Sequence, residues 1–156
     1  MTTNNIVKVE GKNLFGEPRK YSFRLVDAKT GLEIFHMDNF HNIMGAAIEL
    51  IKRAEGEETE EEDDNREFYC IAIAKLFSRT VDWKLLQELS RMLLDKATVT
   101  IDEKTTAAQD GIFDIAKGDP TEQYVALAYA WQKNFDKYVP FFAKALVVTS
   151  GSKEGE

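Results

Sequence analysis

Two histidines, His36 and His41, and one cysteine, Cys70, are the chain's whole stock of imidazole and thiol. Nucleophilic catalysis needs a nucleophile, a base and an orienting group within reach of one another. The histidines lie five residues apart, which does not stack them on one helical face, and no nucleophile motif adjoins them. A surface or structural role is the expectation for both. Cys70 falls inside an apolar helical pattern and reads as a small buried hydrophobe. A single cysteine also excludes an intramolecular disulfide and zinc sites built on paired cysteines. The nine glycines are scattered and form neither a phosphate-binding loop nor a dinucleotide fingerprint. The stretch from Asp102 to Phe113 has the length of a calcium loop. Lys104 and Thr106 occupy its third and fifth places, however, and Phe113 stands where a bidentate Glu is required. The residues therefore predict no catalytic group, no metal site and no cofactor.

Two other concentrations stand out. Residues Glu55 to Asp64 hold eight acids in ten positions. Without them the chain has 19 acids against 20 bases, so the net charge of -7 belongs to this segment. A block of like charges repels itself and stays solvated, which predicts a disordered acidic loop between helices at about 55–65. The sharper readings are a docking segment for a basic partner, a nucleic-acid mimic or a weak metal sponge. The second concentration is aromatic: residues Tyr124 to Phe142 contain seven aromatics in nineteen positions. Core packing explains most such density. Tyr129 and Phe141, however, do not easily share the face of Tyr124, Trp131 and Phe135, and rings left outside a monomer core are good anchors for a partner. The candidate partner-binding set is Tyr129, Trp131, Phe135, Tyr138, Phe141 and Phe142. No basic stripe with interleaved aromatics is present, which disfavours nucleic acid. No apolar run approaches membrane-spanning length, and the first residues carry no secretory signal pattern, so neither membrane nor export is expected.

These residues must be positioned by recognisable elements. Ile6, Val7 and Val9 form a short apolar run, and Tyr21, Phe23 and Leu25 alternate with Ser22 and Arg24, a period of two. The segment Asp27-Ala28-Lys29-Thr30-Gly31 reads as a turn leading into a further run at Leu32 and Ile34. Helical spacing then places Phe40, Ile43, Met44, Ala47, Ile48 and Ile51 on one stripe of a helix from Asp38 to Arg53. A second helix, Asn65 to Ser78, has Phe68, Ile71, Ala72 and Leu76 on one face and Tyr69, Ile73 and Phe77 on another. Being apolar on most sides, it is the expected central helix. A third, Val81 to Lys96, is capped by Asp82 or Thr80 and directed by Trp83, Leu86, Leu89 and Leu93. Thr98 to Asp102 is β-branched and alternating, a short strand or an extended connector, and Glu103 to Gly111 reads as loop. Asp119-Pro120-Thr121-Glu122 opens a fourth helix with a capping side chain, a proline at the first position and a glutamate at the third. Pro140 should end or kink it near Tyr138.

The chain is thus expected to be α+β and mainly α. A small N-terminal antiparallel β-sheet of two or three strands packs with about four helices. One domain covers residues 1–148, followed by a flexible tail at 149–156.

Several stretches resemble the tail assembly chaperones of tailed bacteriophages. The likeness is carried by Thr80-Val81-Asp82-Trp83, the Leu85 to Leu94 helix, Ala97-Thr98-Val99-Thr100-Ile101-Asp102 and Gly118-Asp119-Pro120. Tyr124-Val125-Ala126-Leu127-Ala128-Tyr129-Ala130 and Asn134-Phe135 with Tyr138 extend it. The resemblance implies a noncatalytic assembly factor in the cytoplasm of an infected bacterium, absent from the mature virion. It implies binding to the tape measure protein, which is kept soluble, and recruitment of tail tube protein. Related chaperones often have a longer form made by frameshifting. Exposed rings would also serve self-association. The competing readings are a structural virion component, such as a neck or tail-completion protein, and a small acidic protein-binding regulator.

Overall fold

The computed structural model describes residues 6–37, 40–56, 71–79, 81–115 and 118–138. The acidic run from residue 57 onward, Phe68, Tyr69 and Cys70, Pro140 to Phe142 and the tail at 149–156 lie outside them. The fold is α+β. Strands β1 (Ile6–Lys12), β2 (Pro18–Arg24), β3 (Thr98–Ile101) and β4 (Lys104–Ala107) form one antiparallel sheet in the order β1-β2-β3-β4. The helices are α1 (Ala28–Phe35), α2 (Phe40–Gly56), α3 (71–79), α4 (Trp83–Leu93) and α5 (Thr121–Phe135). A 3-10 turn, Asp136–Tyr138, continues α5.

The sheet has two hairpins. In the first, the loop between β1 and β2 is organised by Asn13, whose Oδ1 accepts from the N–H groups of Phe15 and Glu17, both at 2.9 Å. In the second, Asp102 and Glu103 both take positive φ (49° and 68°), the geometry of a two-residue hairpin turn. The second hairpin joins the first through β2, where Lys20, Tyr21 and Ser22 face Thr100, Val99 and Thr98. Alternation sets the faces: Tyr21, Phe23 and Val99 are buried, while Lys20 and Arg24 point to solvent.

The core is one contiguous cluster drawn from the sheet and all five helices. Its centre is α5, in which twelve of fifteen residues are buried. Trp131 stacks its ring 4.7 Å from Phe135, 5.5 Å from Phe40 of α2 and 5.8 Å from Phe77 of α3. Phe35 of α1 joins at 5.0 Å from Phe40 and 5.7 Å from Phe135. Ring pairs at these separations add about 0.5–1.5 kcal/mol each beyond their burial. On the opposite side Tyr129 lies 5.2 Å from Tyr21 of the sheet.

Four expectations change. Leu32 and Ile34 belong to a helix, not a strand. Asp27 is its N-cap, accepting from Thr30 N–H at 2.8 Å, so the Asp-to-Gly segment starts α1 instead of turning a hairpin. Residues 104–107 are a strand where a loop was expected. The central helix is α5, whereas the described part of α3 buries one side, through Ile73, Ala74 and Phe77. Finally, Trp83 does not direct α4 inward: it is 63% exposed, and Leu86, Leu89 and Leu93 carry the buried face.

Candidate protein-docking cleft

Two clusters of buried polar residues surround the start of α5. Glu122, in the first turn of α5, accepts from Arg19 Nε at 2.9 Å and from Asn13 Nδ2 at 2.8 Å. Arg19 also donates to the Pro18 carbonyl at 2.9 Å. The three residues pin the first hairpin to the start of α5, which is what Glu122 does there in place of a capping box. Gln123 does the same for α4: its Nε2 donates to Ser90 Oγ and the Gly111 carbonyl, and its Oε1 accepts from Phe113 N–H, each at 2.9 Å. Gly111 is required at this crossing, because it has φ +82° and a Cβ there would strike the Ser90 carbonyl. In both clusters the buried polar side chains are matched by partners within the protein, which ties α5 to the first hairpin and to α4.

His36 and His41 are exposed, and His36 Nδ1 lies 3.0 Å from the Leu32 carbonyl of its own helix. Among the described residues no group of three or more His, Cys, Asp or Glu is placed to hold a metal ion. No helix among them is long and apolar enough to cross a membrane.

The aromatic set divides. Tyr129, Trp131 and Phe135 are buried, with Trp131 and Phe135 each only 1% exposed. Their burial removes them from any docking surface of the folded monomer and corrects the expectation that they face a partner. The reason is geometric: α5 is covered on nearly every side, so a ring off its main stripe still meets protein. Tyr129 meets the sheet, and its hydroxyl accepts from Lys12 N–H at 3.2 Å. Tyr138, just beyond α5, does reach the surface. Phe141 and Phe142 lie outside the described residues.

Among the described residues the large apolar side chains left exposed are Ile6, Phe15, Leu32, Trp83 and Tyr138. Of these, Leu32 and Tyr138 flank a common depression. It is a cleft of about 510 Å³ between α1, the segment before it and the exit of α5. Val26, Leu32, Phe35 and Tyr138 supply its apolar lining, and Lys133 and Lys137 its cations. Phe35 holds Tyr138 edge-on at 5.6 Å, while Lys137 Nζ sits 5.0 Å from the centre of the same ring. The floor is fixed by Asn134, whose Oδ1 accepts from Val26 N–H at 2.9 Å and whose Nδ2 donates to the Ala130 carbonyl at 2.8 Å. The wall is fixed by Asp27, which caps α1. Hydrogen bonds from the Thr30 hydroxyl, then its N–H, hold the Asp27 carboxyl below its ordinary value. Such a site can receive an apolar side chain and satisfy a neighbouring carboxylate. Sequence reasoning found Tyr138 but missed Leu32, Phe35, Lys133 and Lys137. Reading Asp27-to-Thr30 as a helix cap would have placed Leu32 and Phe35 on one helix.

No protein-family model, curated protein or solved structure matches this chain. The class that fold and site define is an α+β domain with an apolar, cation-rimmed cleft.

Proposed function

We propose that this chain is a noncatalytic tail assembly chaperone of a tailed bacteriophage. It binds the tape measure protein in the cytoplasm of the infected host, keeps it soluble and releases it as tail tube protein assembles, leaving the mature virion without it. The cleft between α1 and the exit of α5 supports this reading most directly. A long helical client exposes apolar stripes before assembly, and an apolar side chain flanked by an acid on such a stripe matches Leu32 and Tyr138 beside Lys133 and Lys137. Burial of apolar area drives the contact at about 25 cal/mol per Å² before ordering costs are subtracted. A site of this size engages one or two side chains at a time, so each contact is weak and displaceable. The resemblance around Thr80 to Asp102 and Tyr124 to Tyr138 supplies the biological setting.

The test is co-expression with the tape measure protein of the same phage. A chaperone raises the client's soluble fraction and co-purifies with it. No gain in solubility together with no co-purification would refute the proposal. Presence of the chain at stoichiometric levels in purified particles would favour a structural virion component instead.

A further inference from the structure

Strand β1 closes one side of the sheet, and the described residues place no strand against its outer edge. Which of its backbone groups face that edge follows from the register. Asn13 N–H donates to the Glu17 carbonyl at 3.0 Å, so this is a hydrogen-bonded pair of the hairpin. Bonded and non-bonded pairs alternate along an antiparallel ladder. Gly11, Val9 and Val7 therefore bond to Arg19, Tyr21 and Phe23 of β2, whereas Lys12, Glu10, Lys8 and Ile6 turn their N–H and C=O groups outward. Two observations agree. Pro18, which has no N–H to give, falls opposite Lys12 in a non-bonded pair, and Lys12 N–H reaches outward to the Tyr129 hydroxyl.

We propose that this edge is the interface of a twofold homodimer in which β1 pairs antiparallel with β1 of a second copy, centred on Val9. In this register Lys8 faces the partner's Glu10 and Glu10 faces the partner's Lys8. These are two opposite-charge cross-strand pairs related by the symmetry axis. Lys8 and Glu10 also exchange backbone bonds with their opposite numbers, because both turn their amides outward. Val9 meets the partner's Val9 on the half-buried face of the sheet. The charge pattern selects this register. A shift toward the N-terminus sets Lys8 against the partner's Lys8. A shift toward the C-terminus sets Glu10 against the partner's Glu10, and Lys8 against the partner's Lys12. A register of odd offset would face outward amides with amides already bonded to β2. Edges protected against pairing are usually short, bulged, interrupted by proline, covered by another element or charged, often with lysine. Here Lys8 of β1 meets a glutamate of the partner strand. β1 has seven residues, pairs with β2 without interruption, contains no proline and alternates its charges. The product is a continuous eight-stranded sheet, and the α1–α5 cleft takes no part in it.

The experiment measures mass against concentration for the full chain and three variants, by sedimentation or light scattering, with circular dichroism to verify folding. The wild type is expected at twice 17.8 kDa. Lys8→Glu turns both attractive pairs into repulsive ones and weakens the dimer about tenfold or more. Glu10→Lys does the same. Lys8→Glu with Glu10→Lys restores both pairs and returns the dimer to within about threefold of wild type. The double variant also loses the Glu10–Lys20 contact inside the hairpin, at 3.9 Å between exposed side chains. Exposed pairs of this kind contribute little. Amide exchange gives a second readout: Lys8 and Glu10 N–H should gain protection as concentration rises, while Val7 and Val9 should not change. A monomer up to about 100 μM, a dimer insensitive to Lys8→Glu, or a double variant as weak as the single ones would each overturn the proposal.

Discussion

Leu32→Gln is the sharpest test of the docking cleft, because its effects on folding and on binding should differ in size. Leu32 lies on α1 and is 56% exposed. Leucine and glutamine have similar helix propensities, so the substitution leaves α1 almost unaffected on that account. Full burial of a leucine side chain is worth about 1.5–3 kcal/mol, so the half that Leu32 buries in the monomer is worth about 1 kcal/mol. The variant should lose about that much stability and retain its fold by circular dichroism. Its effect on a client is larger if Leu32 is a central anchor, since such anchors cost about 2 kcal/mol or more when truncated, roughly thirtyfold in affinity. Trp83→Gln is the matched control: Trp83 is more exposed than Leu32 but lies outside the cleft. The assay is client solubility on co-expression, followed by titration with the client segment retained on purification. Leu32→Gln should release the client while Trp83→Gln keeps affinity within about twofold. If both variants bind alike, or if only Trp83→Gln fails, the cleft is not the docking site.

Three further outcomes test the physical account. Glu122→Gln leaves Arg19 without its buried counter-charge and should cost about 3 kcal/mol in chemical denaturation. A loss under about 1 kcal/mol would mean that exposed Glu17, at 3.8 Å from Arg19, compensates it fully. Glu103→Gly should stabilise by about 0.5–1 kcal/mol, because Glu103 holds a left-handed conformation at φ 68° that glycine adopts without a Cβ penalty; a lower melting temperature would contradict the turn geometry. Asp27 has its carboxyl pKa lowered from 3.8 by the Thr30 hydrogen bonds. Its capping contribution is therefore present above that value and lost as pH falls through the lower folded-state value. The stability gap between wild type and Asp27→Ala should close on acidification, and a gap independent of pH would show that the charge plays no part.

The sequence was most informative where one buried face repeats over several turns. Phe40, Ile43, Met44, Ala47 and Ile48 of α2, and Leu86, Leu89 and Leu93 of α4, are all buried as their spacing predicted. Asp82 and Asp119 accept hydrogen bonds at the starts of α4 and α5, as their positions suggested. What escaped was short or was set by distant residues. Helix α1 has eight residues, barely two turns, and Leu32 and Ile34 imitate the period of a strand. Strand β4 is Lys-Thr-Thr-Ala, with no apolar alternation to reveal it, and it exists because Asp102 and Glu103 fold it back onto β3. The Arg19–Glu122 pair joins residues 103 positions apart, and no local pattern announces such a contact. The candidate site was legible only at Tyr138, because the cleft is assembled from α1 and the exit of α5, and α1 was the element misread.

The burial of Tyr129, Trp131 and Phe135 has a thermodynamic reason that also bears on where a partner can bind. Each ring removes about 150–250 Å² from water, worth about 4–6 kcal/mol at 25 cal/mol per Å². Leaving all three exposed for a client would forgo an amount comparable to the whole stability of an ordinary domain, about 5–15 kcal/mol. A chain of 156 residues with one contiguous core therefore has little freedom to hold its largest rings in reserve. Docking has to fall to residues whose exposure costs the monomer little. Those are side chains at the ends and margins of elements, such as Leu32 on a two-turn helix and Tyr138 one step past the central one. Phe35 and Phe135 connect the cleft wall to Trp131, so the core fixes the shape of the cleft. Aromatic density along α5 thus marks what organises the fold, and the proposed binding surface lies where that helix ends.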